Sequence, residues 1–157
     1  MVGMNNANAT DRKYHKPEAV CLEVFHFLRN LDTMTFDDYK NLCLGLEELR
    51  GLGADTVLVK DKNAQEALKS LSLDEYNSVY KSSWQRIIDY GVRHKIVWVD
   101  CEIEDIDCFV DNSKNIPMTV GVLYVLYQNF VFEVVTLSFF IGDEYRLLGI
   151  QNVNELP

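Results

Sequence analysis

Residues 118–141 read MTVGVLYVLYQNFVFEVVTLSFFI, two apolar runs rich in β-branched and aromatic residues and parted only by Gln128 and Asn129. That spacing is the signature of a β-hairpin. In the first run Met118, Val120, Val122, Tyr124 and Leu126 share one face, while Leu123, Val125 and Tyr127 share the other. The second run sets Phe130, Phe132 and Val134 against Val131, Val135, Leu137 and Phe139. Both faces of the hairpin are therefore apolar. An antiparallel sheet with one face in water alternates apolar with polar, so this sheet requires a cover on each side. Gln128, Asn129 and Glu133 interrupt the runs, and neither reaches the roughly 20 residues of a membrane-crossing helix. No membrane partner is expected.

Working outward, residues 97–110 read VWVDCEIEDIDCFV. Val97, Val99, Cys101 and Ile103 alternate with Trp98, Asp100, Glu102 and Glu104, which describes one long strand. The alternation then slips. Keeping Ile106, Cys108 and Val110 on the core side requires one extra residue, which a β-bulge supplies. Downstream, a turn at Gly142, Asp143 and Glu144 leads into YRLLGIQNV, completing a meander of at least four strands.

Before residue 95 the apolar period is helical. Pro17 suits a first turn, and Val20, Val24, Phe27, Leu28 and Leu31 follow on one helical face. Thr35 and Asp38 have capping-box spacing and open a second stripe of Phe36, Tyr39, Leu42, Cys43, Leu46 and Leu49, stopped by Gly51 and Gly53. The stretch ADTVLVKDKN fits either a short edge strand or a loop, and residues 64–71 suit a short helix. Ser72 and Glu75 cap a further helix carrying Tyr76, Val79, Tyr80, Ser83, Trp84, Ile87 and Ile88, with Gly91 placed as its left-handed stop. Helices first and strands last describe an α+β domain over residues 17–157. The preceding residues 1–16, MVGMNNANATDRKYHK, have the polar character of a flexible tail and lack the apolar run of a signal peptide.

Composition narrows the partners. Of the 157 residues 48% are hydrophobic and 25% charged, a globular balance. Lys and Arg number 15 against 24 Asp and Glu, a formal charge of -9 that repels phosphate backbones, so nucleic acid is disfavoured and a basic protein stays open. Cys21, Cys43, Cys101 and Cys108 have no CxxC spacing, and with no export signal they read as reduced, buried small hydrophobes in a cytoplasmic protein.

The order of helices, then VRHKIVWVDCEIEDIDCFV, a long hairpin and GDEYRLLGI resembles the nuclear transport factor 2-like superfamily, the cystatin-like α+β cones. The resemblance spans roughly residues 17–153. It implies N-terminal helices wrapped by a curved, bulged, mostly antiparallel sheet. It also implies a ligand pocket between the helix of residues 72–90 and the concave side of that sheet. Tyr76, Tyr80, Trp84 and Glu133 are the expected pocket residues. The superfamily includes isomerases, dehydratases, polyketide cyclases and transport adaptors, and no catalytic position of those enzymes matches this chain residue by residue, so the resemblance carries over no activity.

Glu133 sits between Phe132 and Val134, where an apolar pocket would raise its pKa and equip it for acid–base work, although an edge position reaching solvent is the commoner fate of such a residue. Asp100, Glu102, Glu104, Asp105, Asp107 and Asp111 offer oxygen ligands of the kind a hard cation prefers, but Asp100, Glu102 and Glu104 alternate as a solvated strand face does, and no calcium-binding loop accompanies them. His15, His26 and His94 are too dispersed for a zinc site, and no GxSxG, P-loop or dinucleotide-binding glycine pattern occurs, so neither metal nor cofactor is expected. The sequence favours a non-catalytic ligand-binding or protein-interaction domain. Its alternatives are a small lyase or isomerase using a pocket carboxylate, and an acidic immunity-type protein that binds a basic toxin. The doubly apolar sheet further implies a homodimer through its uncovered face, unless the segment around residues 54–71 folds over it.

Overall fold

The computed structural model describes residues 14–113 and 116–156; the proposed tail at residues 1–16 lies outside them except for its last three positions. The helices are α1 (Pro17–Arg29), α2 (Phe36–Leu42), α3 (Leu46–Leu52), α4 (Lys62–Lys69) and α5 (Leu73–Arg93). The strands are β1 (Glu102–Asp111), β2 (Met118–Tyr127), β3 (Phe130–Ile141) and β4 (Glu144–Glu155), paired antiparallel in the order β1-β2-β3-β4. The fold is α+β, and the sheet is open, with β1 and β4 at its edges. Among the described residues no helix is long and apolar enough to cross a membrane.

Helix starts follow the sequence closely. Thr35 Oγ1 accepts from Asp38 N at 3.2 Å while Asp38 Oδ2 accepts from Thr35 N at 2.7 Å. Ser72 and Glu75 repeat this reciprocal cap at the start of α5, and those hydrogen bonds lower the Glu75 pKa. Helix ends depart from it. The stripe of residues 36–49 is not one helix, because Cys43 turns extended and Leu44 N donates to Leu147 O at 2.8 Å, taking the backbone out of the helical ladder. Nor does Gly91 stop α5. It lies inside the helix, where a Cβ would stand 2.8 Å from Trp98 Nε1, so the missing side chain makes room for the indole. The left-handed residue is Lys95, with φ 52°.

The expected long strand from residue 97 is also corrected. Trp98–Asp100 form a single 3-10 turn, which inverts the faces: Trp98 is buried, whereas Val97 and Val99 are exposed. Arg29 secures this turn to α1, its Nη2 and Nε donating to Val99 O at 2.7 and 3.2 Å. Strand β1 begins only at Glu102. The bulge is where the hydrophobic pattern demanded it, for Ile103 pairs with Val125 and Asp105 with Tyr124, leaving Glu104 as the extra residue. Ile103, Ile106 and Cys108 thereby pack on the core, but Val110 at the strand's end is exposed.

Helix α1 crosses the sheet and α5 runs along β4. The inner face presents Leu123, Val125, Phe132 and Val134 to the helices, all nearly or fully inaccessible. At Gly121 a Cβ would lie 2.4 Å from Cys21 Sγ and 2.6 Å from Thr136 Oγ1, so glycine is what lets α1 approach. On the outer face Val120 and Val122 stand opposite Phe109 and Asp107 of β1 and Leu137 and Val135 of β3. Residues 54–61 form turns, not a strand, and Val59 is buried within them.

Replacing Trp98 by Ala should lower unfolding stability by about 3–5 kcal/mol, whereas Val99→Ala should stay within about 0.5 kcal/mol. Urea denaturation checks the pair, and the reverse ranking would restore the long-strand reading.

Candidate functional site

Strand β4 is a sheet edge, and an edge leaves a row of backbone donors and acceptors unpaired. Here residues that precede the sheet in the chain take up several of them. Tyr145 N donates to Tyr14 O at 2.7 Å and Leu147 O accepts from Leu44 N. At Ile150 a closed ring forms: Ile150 N donates to Tyr39 Oη at 2.9 Å, Tyr39 Oη lies 2.6 Å from Ser83 Oγ, and Ser83 Oγ donates to Ile150 O. Since the serine proton is spent on the carbonyl, the tyrosine donates to the serine. Arg86 Nη1 donates to Gln151 O at 2.9 Å, one residue further along.

Strand β4 does not run in simple register. Val135 pairs with Asn152 and Thr136 with Ile150, so Gln151 is extra; Leu137 pairs with Gly149 and Ser138 with Leu147, so Leu148 is extra. Bulges re-aim side chains and deepen local twist. Both extra residues line a cavity of about 330 Å³ between α5, the α3 and α4 region and the β4 edge. The rest of the wall is mostly apolar or aromatic, with Leu49, Leu68, Leu71, Tyr76, Tyr80 and Ile150 prominent, and Ser83 and Arg86 add polar groups. At about 330 Å³ the cavity is at the small end of ligand pockets.

The hydroxyls of this wall are already engaged. Tyr39 and Ser83 complete the ring at Ile150, and the Tyr76 and Tyr80 hydroxyls donate to Leu44 O at 3.3 and 3.2 Å. Burial raises the Tyr39, Tyr76 and Tyr80 pKa values, so none is poised to exchange protons near neutrality. Among the described residues no carboxylate lines the cavity.

Of the four residues singled out from sequence, Tyr76 and Tyr80 line the cavity. Trp84 packs instead against Phe27 and Tyr39, with ring centroids 6.2 and 5.8 Å away. Glu133 is in the middle of β3, opposite Tyr124 and Asn154, and accepts from Asn154 Nδ2 at 3.2 Å. Tyr39, Ser83, Arg86, Leu148 and Gln151 were not foreseen as site residues. Tyr39 and Ser83 did carry a signal, namely hydroxyls on otherwise apolar helical stripes, which burial obliges to find partners. Leu148 and Gln151 depend on strand register and had none.

Other concavities are more open, and two of them involve the sheet. One, lined by His94, Tyr127, Gln128, Asn129 and Phe130, adjoins the His94 Nε2 to Glu155 Oε1 contact of 3.0 Å. The other lies between the acidic β1 residues Glu104, Asp105 and Asp107 and Tyr124, Val131 and Leu156. Among the described residues no group of three His, Cys, Asp or Glu side chains is placed to hold a metal ion. All four cysteines are free, and burial is the main cause that raises the Cys101 and Cys108 thiols to about 11 and 12.

No family model matches the chain, and no curated protein or solved structure does either.

Tyr39→Phe keeps the ring volume but strands the Ile150 N–H, and should cost about 1–3 kcal/mol by urea denaturation. Tyr76→Phe, whose carbonyl partner retains Tyr80, should cost less than half as much; equal losses would mean that the ring at Ile150 has no special weight. The raised thiols make a second expectation. A pKa of about 12 leaves a thiolate fraction of about 10⁻⁴ at pH 8, so Ellman's reagent should label Cys108 slowly in the folded protein and all four thiols after denaturation. Fast stoichiometric labelling of native Cys108 would contradict this.

Proposed function

We propose that this chain is a non-catalytic ligand-binding domain built on the plan of the nuclear transport factor 2-like cones, and that its site is the cavity beside β4. The observation that carries the reading is the wall itself: among the described residues, mostly apolar side chains surround a ligand-sized space in which every hydroxyl has an internal partner and no carboxylate is present. Such a wall gains from burying apolar ligand surface and offers no general acid or base. The lyase or isomerase alternative relied on a pocket carboxylate such as Glu133, which is bonded to Asn154 away from this cavity. The immunity-type alternative rests on small size, the expected cytoplasmic character and the formal charge of -9.

The neutral dye Nile red should bind saturably, with blue-shifted emission. Leu148→Trp, which fills the wall, and Val79→Trp, at an exposed position on the mouth, should each weaken that binding at least tenfold. Unsaturable binding, or binding indifferent to both substitutions, would defeat the proposal. Unfolding midpoints of the two variants establish that they are folded.

Self-association through the outer sheet face is a second proposal, favoured by a separate observation. Phe109 is 51% exposed beside Val120 on a face that continues through Tyr124, Leu126 and Val131. A two-fold contact would cover it. Light scattering should give twice the 18.1 kDa chain mass, returning to 18.1 kDa in Phe109→Glu. A monomeric wild-type mass at micromolar concentration would reject the dimer.

A further inference from the structure

Among the described residues Arg86 is the only charged one in the cavity lining, in a chain where acidic residues outnumber basic ones by 24 to 15. Its guanidinium has five N–H donors. Nη1 donates to Gln151 O at 2.9 Å and Nε to Ser82 O at 3.4 Å, which leaves Nη2 and the second Nη1 proton turned to no described protein group. Among the described residues no carboxylate forms an ion pair with it. Asp89, one helical turn on, shares the neighbouring surface groove and accepts from Gln85 Nε2 at 2.8 Å. The bond to the β4 carbonyl anchors the arginine head at the cavity rim, so the remaining donors are positioned without further ordering of the side chain.

Resting on the reading of this cavity as a ligand site, we infer that its ligand is a small amphiphile with an apolar body and a single carboxylate, the carboxylate held by Arg86. The hydrocarbon displaces no satisfied polar atom from the wall, and the carboxylate meets a planar donor pair suited to its two oxygens. Uncharged and cationic amphiphiles of the same length lack that contact. The volume of about 330 Å³ restricts the apolar body to a short chain or a small ring system.

Calorimetric titration with decanoate and with decanol, in low-salt buffer below micelle-forming concentrations, tests the inference. Decanoate should bind the native protein about tenfold more tightly than decanol, an advantage that falls as salt screens the exposed guanidinium. Arg86→Gln should lose about tenfold in decanoate affinity, whereas Lys81→Gln, which removes the same charge from the neighbouring groove, should stay within about twofold. Equal affinity of the native protein for the two ligands overturns the carboxylate inference while leaving the apolar site standing. Equal losses in the two variants overturn Arg86 as the anchor. Saturable binding of neither ligand overturns the site and the inference together.

Discussion

The ring of three hydrogen bonds joining Tyr39, Ser83 and Ile150 ties the two halves of the fold together. It connects α2 and α5, formed early in the chain, to the last strand, more than 60 residues later. Each member satisfies a group that burial would otherwise leave unpaired, and low local dielectric makes such a closed network stiff. A helix packed on a sheet by apolar contacts alone can slide along it, since those contacts are non-directional. The ring removes that freedom and fixes α5 against one residue of β4. The bond from Leu44 N to Leu147 O does the same for the segment between α2 and α3.

The two sheet edges are protected by different physics. At β4 the helices occupy the edge directly, through Leu44, Tyr39, Ser83 and Arg86. At β1 the protection lies in the strand itself, with Glu102, Glu104, Asp105, Asp107 and Asp111 along it and a bulge at Glu104 that breaks its regularity. Like charges at this density oppose pairing with a second β1.

What the sequence disclosed follows from the range of the forces involved. The caps at Thr35 and Ser72, the hairpin at Gln128 and Asn129, the turn at Gly142 and the bulge after Ile103 are decided by neighbours within a few residues, and all were legible. The failures were tertiary. Trp98 was placed on the exposed face because the period-two pattern of residues 97–104 is genuine, yet the space above Gly91 admits the indole and turns the chain before β1. The second helix broke at Cys43 because an edge carbonyl over 100 residues away captured the Leu44 N–H. The cavity was half legible, since Tyr76 and Tyr80 belong to a local stripe while Leu148 and Gln151 enter it only through register shifts in β4.

Those register shifts also explain why a cavity persists in an otherwise packed interior. A regular β4 would place alternate side chains against α5 at even spacing, and interiors of that kind fill to near-crystalline density. With Leu148 and Gln151 each adding a residue that β3 does not match, the strand bends beneath α5, while the ring at Ile150 holds that helix at a fixed height. The helix cannot settle into the space because its hydroxyl anchors would break, and each broken buried anchor leaves a desolvated polar group costing about 1–3 kcal/mol. Bulge and ring thus act against each other: one bends the strand and the other prevents collapse onto it. The apolar volume between them is maintained by hydrogen bonds.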